Sequence, residues 1–132
     1  MKSSLALLIN IMALTFAMQV QAAPPTQTSR DVAIAVNDVF VPGGFDSTAD
    51  AYVVVSGIFP NTCYKWKEAI RKDVTQFEHE VKSIASVNQG MCLMVLVPFS
   101  KDIRLGKLDS GTHTLRFISG DGTYLEKTLV VE

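Results

Sequence analysis

Residues 112–131 read THTLRFISGDGTYLEKTLVV. Two extended runs, Thr112 to Ile118 and Thr123 to Val131, flank the tetrapeptide Ser119-Gly120-Asp121-Gly122. Such a turn between such runs is a strong hairpin signal. Upstream, alternation with a period of two dominates and no convincing helical period emerges. Phe77, Val81, Ala85 and Val87 fall on one side of a strand, with Gln76, Glu78, Glu80 and Lys82 on the other, so that strand has one wet face.

The remaining segments fit the same pattern. Ala51 to Phe59 is nearly all apolar and β-branched, which predicts a strand covered on both faces. Asn88-Gln89-Gly90 marks a turn. Met91 to Val97 reads as a further buried run ended by Pro98, with a short strand near Ile103 to Leu105. Val32, Ile34 and Val36 share one face, but after Asn37-Asp38 the apolar side moves to Val39 and Val41. A one-residue slip of phase predicts a bulge at which the first strand passes from one sheet to another. Lys65 to Val74 holds the one helical candidate, yet its apolar spacing suits a helix for barely two turns, so it reads as strand plus turn. Seven or eight short strands at regular spacing predict an all-β, antiparallel sandwich.

The amino end has a different organisation. Lys2 precedes an apolar run from Leu5 to Met18, followed by Val20-Gln21-Ala22, with small residues where signal peptidase requires them. The run is too short to cross about 30 Å of hydrocarbon as a helix. Residues 1–22 are therefore expected to be a cleaved signal peptide of Gram-negative bacterial style, residues 23–30 a flexible polar tether, and residues 31–132 the domain. The address this implies is the periplasm or the extracellular space, with no membrane span after cleavage. Formal net charge is −1, and becomes −2 once Lys2 is lost. Nothing in that balance attracts nucleic acid. Cys63 and Cys92 meet an oxidising compartment and allow one pairing. Closing a loop of this length removes about 3.6 kcal/mol of unfolded-chain entropy.

Two stretches carry a resemblance. Leu108-Asp109-Ser110-Gly111-Thr112-His113-Thr114-Leu115 resembles the Asp-x-Gly/Ala-x-Tyr corner entering the F strand of immunoglobulin-type domains. His113 stands at the tyrosine and Leu115 where antibody domains place a cysteine. The antibody-type disulfide is thus absent, and the corner hydrogen bond has no tyrosine to make it. More widely, Pro42-Gly43-Gly44-Phe45-Asp46, Gly57-Ile58-Phe59-Pro60-Asn61-Thr62-Cys63-Tyr64, Cys92, Pro98-Phe99, Leu105-Gly106-Lys107-Leu108 and Gly111 occur in an order similar to that of small secreted bacterial immunoglobulin-like proteins. This resemblance implies the immunoglobulin-like sandwich and its single disulfide, and brings no active site with it.

Chemistry-bearing residues are few. His79 lies on the apolar register beside Phe77 and Val81, where a half-buried core histidine with one hydrogen bond is expected, and His113 belongs to the corner. No serine sits in a Gly-x-Ser-x-Gly turn and no motif pairs a histidine with an acid. A transition-metal site needs three or four convergent ligands, which this inventory does not supply. Asp46, Thr48 and Asp50 alternate as calcium ligands do, but Ala51 and Gly57 occupy the positions where such a loop requires glycine and a bidentate glutamate. Lys65, Lys67, Arg71 and Lys72 interleave with Tyr64 and Trp66, as in surfaces that hold polyanions or sugars. A solvated strand edge with Trp66 turned inward accounts for the same residues.

No catalytic residue, cofactor or metal is therefore expected. The expected function is a non-enzymatic binding module with a protein or glycan partner in the cell envelope. Its expected contact surface is Tyr64, Lys65, Trp66 and Lys67 together with the neighbouring loop that holds Phe45, Asp46 and Asp50. A loop-presenting inhibitor of a secreted hydrolase, acting through Pro42 to Asp50, and a calcium-dependent adhesion module are the alternatives. Exported protein should begin at Ala23 and contain no alkylatable thiol until it is reduced. Intact mass spectrometry before and after reduction checks both, and a mass that retains residues 1–22 would count against the leader.

Overall fold

The computed structural model describes residues 20–23 and 28–132. The expected leader therefore falls mostly outside the described residues, as does half of the expected tether, residues 24–27. Eight strands follow in chain order: β1 Ser29–Ile34, β2 Asp38–Phe40, β3 Ala51–Phe59, β4 Tyr64–Asp73, β5 Glu78–Asn88, β6 Val97–Gly106, β7 Gly111–Ile118 and β8 Tyr124–Val131. They form two sheets, one of five strands and one of three in the order β2-β3-β6. In the larger sheet β5 is the hub. It pairs with β4 along one edge, and along the other with β7 through Glu78–Lys82 and β1 through Ser83–Asn88. β8 then pairs with β7 in the hairpin expected from residues 112–131. Ser119 and Thr123 close that turn backbone to backbone, and Gly122 takes the positive φ it demands.

The slip of phase in the first strand is a change of sheet. β1 pairs with β5, the chain lets go after Ile34, and β2 pairs with β3 in the opposite sheet. Asn37 N–H donates to the Ser56 carbonyl as the chain crosses. Gly57 makes that crossing possible. A Cβ there would lie 2.5 Å from Cζ of Phe99 and 3.2 Å from the carbonyl oxygen of Ala35. The layers meet over a main core that includes Val53, Val55, Val81, Leu115, Phe117 and Leu129. A smaller cluster of Ile34, Phe59, Ala85 and Phe99 fills the end beneath the disulfide.

Four expectations change. β1 begins at Ser29, so Ser29 and Arg30 belong to the sheet and not to the tether. β3 is covered on one face only: Ala51, Val53, Val55 and Phe59 are buried, while Tyr52 and Ile58 on the outer face are exposed. Its β-branched composition suits a pleated strand whether or not a second layer covers it. Met91–Leu96 is no buried strand but an exposed connection, and β6 starts at Val97 with Pro98 inside it. β6 is an edge strand, where a residue without an N–H is tolerated. Finally, β5 and β7 run parallel, the one departure from antiparallel pairing among the ladders of the eight strands.

One buried polar atom stands out in this core. Ser83 is buried on β5, and its hydroxyl has no hydrogen-bond partner. An unsatisfied buried hydroxyl carries its desolvation cost without return. Ser83→Ala should therefore raise the unfolding free energy by about 1 kcal/mol, read from the urea midpoint at constant m-value.

Candidate functional site

The connections from β3 to β4 and from β5 to β6 both cross between the sheets, and both do so at the same end. Cys63 lies on the first and Cys92 on the second, bonded to each other with Cα atoms 5.3 Å apart. The disulfide therefore ties two crossovers together at one end of the sandwich. Asn61 accepts the Cys63 N–H at 2.9 Å and shapes the first connection. Thr62 clamps the second: its hydroxyl accepts the Leu93 N–H at 2.9 Å, and its own N–H donates to the Leu93 carbonyl. Held in this way, Met91, Leu93, Met94, Val95 and Leu96 each remain more than half exposed. Ile58, exposed and paired with Pro98, extends the apolar surface onto the three-stranded sheet.

The opposite end holds the polar chemistry. The turn between β4 and β5 sets Asp73 opposite His79 in register, because the Thr75 hydroxyl accepts the N–H groups of Phe77 and Glu78. Asp73 Oδ1 lies 2.6 Å from His79 Nδ1, His79 Nε2 lies 2.8 Å from His113 Nδ1, and His113 Nε2 lies 2.7 Å from the Asp109 carbonyl oxygen. The terminal carbonyl can only accept, so His113 donates from Nε2 and, when neutral, accepts at Nδ1. The hydrogen between His79 Nε2 and His113 Nδ1 can be donated from either ring, and His79 Nδ1 faces the Asp73 carboxylate.

Both imidazoles are buried, at 4% and 0% exposure. The expected lone histidine is thus one of a stacked pair. The corner bond that lacked a tyrosine is made by His113, across the same four-residue span back to Asp109. Arg71 also reaches Asp73 Oδ1, at 3.1 Å, and donates to the Leu105 carbonyl. The hydrogen bond from His79, reinforced by the Arg71 charge, holds the Asp73 carboxyl below the usual carboxylate range. Beside this relay lies a cleft of about 260 Å³ bordered by Arg71, Asp73, Gln76, His79, Lys107 and Asp109. Gln76 bridges its mouth to Asp109 at 2.6 Å.

The residues expected to form one contact surface are divided. β3 runs its full length between the Phe45–Asp50 loop and Tyr64, a separation of about 26 Å at strand rise. Tyr64 stacks on Phe59 and Trp66 packs against Phe99, so both aromatics serve the core. Lys65 and Lys67 are exposed on the edge strand β4, and Lys67 pairs with Asp31. Phe45 packs on the main core and edge-on to Tyr52. Asp46 spends its Oδ1 on the N–H and hydroxyl of Thr48, which lowers its pKa and shapes the turn. Asp50 borders a second cleft, of about 310 Å³, with Tyr52, Asp102 and Arg104. Among the described residues, no group of three or more His, Cys, Asp and Glu is placed to hold a metal ion.

Sequence reading placed Arg71 in the basic stretch of β4 and did not foresee its contact with Asp73, nor that of Asp73 with His79. Asp73 and His79 sit three residues either side of Gln76, so the hairpin register was the signal available for that pair. The contact of His79 with His113 had no local signal, because it follows from the parallel pairing of β5 and β7.

Two sheets packed over a shared core, one disulfide across their crossovers and a histidine corner define a β-sandwich domain. The chain belongs to the ORF11 beta-sandwich domain family, whose match covers residues 53–131 and so takes in the bridge and the relay. No curated protein and no solved structure matches it.

A carboxyl whose pKa is lower in the folded state stabilises the fold above its unfolded value near 4, and that contribution disappears as the pH falls through the folded value. Asp73→Asn should therefore lower the melting temperature at neutral pH and converge on wild type in strong acid. Thermal melts from pH 7 down to pH 2 check this, and a gap that stays constant throughout would refute it.

Proposed function

We propose that this β-sandwich is an exported, non-enzymatic interaction module of the periplasm or extracellular space, and that its contact surface is the apolar end carrying Met91–Leu96. The observation that carries the reading is the exposure of five apolar side chains within six consecutive residues of a segment fixed by a disulfide and a threonine clamp. Contiguous apolar patches above a few hundred Å² are uncommon on monomeric soluble proteins and mark interaction sites.

The relay supports the absence of catalysis from this reading. All four ring nitrogens of His79 and His113 are engaged within the protein, so although His79 borders the cleft, neither ring has a nitrogen free to act on a ligand. The patch also disfavours a glycan, since sugars are held by polar groups and open aromatic faces, and Tyr64 and Trp66 have theirs against Phe59 and Phe99. Kinship with small secreted bacterial immunoglobulin-like proteins draws support from the corner bond of His113.

Trp66→Ala would test core packing, so the informative positions are on the tip. A photo-reactive residue in place of Met94 should give cross-linked adducts in intact cells, while the same residue in place of exposed Thr128 should give none. Equal yields at both positions, or none at Met94, would remove the apolar end as a contact surface.

A further inference from the structure

We infer that Met91 and Met94 form a site of reversible oxidative modification, at which a peroxide converts both thioethers to sulfoxides and switches off the apolar end. This regulation presupposes that the apolar end is the contact surface.

Methionine is distributed unevenly in this chain. Of its five, Met1, Met12 and Met18 fall in the expected leader, and the other two stand three residues apart in one exposed connection. A core can use so adaptable an apolar side chain as filler, yet both core clusters are assembled without it. Instead Met91 is fully exposed and Met94 is 80% exposed. An oxidant in solution therefore reaches both sulfurs without any opening of the fold.

The segment offers no competing chemistry. Residues 90–98 include no acid, base or hydroxyl side chain, so neither pH nor phosphorylation can change their polarity. Cys92 is bonded to Cys63, and the chain has no further cysteine, so no thiol intercepts the oxidant. With hydrogen peroxide, each sulfur gives an electron pair to one peroxide oxygen. The O–O bond breaks, an S–O bond forms, and the second oxygen leaves as water. Sulfur is oxidised by two electrons and the peroxide is reduced by two. Reductases specific for each sulfoxide epimer reverse the change.

Oxidation turns a flexible apolar side chain into a polar one, which in a core disrupts packing. Here neither methionine belongs to a core cluster. The backbone between them is held by the bond at Cys92 and by Thr62 on Leu93. The fold stays as it is, while two of the five exposed apolar side chains in this connection become polar.

The test uses protein purified after export, with a photo-reactive residue in place of Leu96 so that both methionines remain. Hydrogen peroxide should add about 32 Da, two oxygens, mapped to residues 91 and 94. The reaction should run at the rate of free N-acetylmethionine and leave the cooperative melt unchanged. Once peroxide is removed, irradiation in envelope extract should give cross-linked adducts with untreated protein and none with oxidised protein. Adducts should return after treatment with the two methionine sulfoxide reductases. The Met91→Leu, Met94→Leu variant keeps the apolar surface without the sulfur, and should cross-link equally before and after peroxide. Oxidised protein that cross-links as well as untreated, oxidation far slower than the free amino acid, or an equal loss in the leucine variant would each overturn the switch and leave the contact surface standing. Untreated protein that cross-links to nothing would remove the contact surface, and the switch with it.

Discussion

The bridge between Cys63 and Cys92 constrains the two points at which the chain passes between sheets at one end of the sandwich. Without it, β3 could hand over to β4 and β5 to β6 through connections free to vary independently. With it, the crossovers move as one, and the small cluster of Ile34, Phe59, Ala85 and Phe99 beneath them is held closed. The same bond explains how an apolar hexapeptide stays outside. A free segment of this composition gains by collapsing onto any apolar surface within reach. Cys92 is tethered at its sulfur and Leu93 is gripped on both backbone groups by Thr62, so that collapse is denied.

The other end is organised by hydrogen bonds instead. Asp73, His79, His113 and the Asp109 carbonyl run from an exposed carboxylate into the core and back out to a loop. Two imidazoles in a protein interior are costly unless each nitrogen finds a partner. Here each does, and the chain links three elements: the β4–β5 hairpin, β7 and the loop before β7. A tyrosine in place of His113 has a single oxygen at its tip and could not link Asp109 and His79 as the two ring nitrogens do. The molecule is thus fastened covalently where it is apolar and through polar contacts where it is charged.

Several features were legible from residues alone. The alternation in Glu78–Asn88, the Ser119–Gly122 turn and the slip of phase after Asn37 yielded β5, the β7–β8 hairpin and the change of sheet. The inward turn of Trp66, foreseen as the plainer explanation of its strand, also holds. Met91–Val97 was misread because its apolarity describes side chains without saying what covers them. Ala51–Phe59 was misread for the same reason. The assumed neighbourhood of Phe45–Asp50 and Tyr64–Lys67 failed because β3 spans the domain between them.

What the sequence determined alone is local: which segments extend, where they turn, and that two thiols must find each other. Those properties follow from backbone stereochemistry, side-chain period and the count of cysteines. Only the tertiary structure decided that β5 would lie parallel to β7 and join His79 to His113, that the bridge would fall on two crossovers, and that an apolar run would be left facing outward. Each of these depends on which strand becomes whose neighbour. That choice is made by the whole core at once, through burial summed over contacts distant in the chain, and no single window of residues contains it.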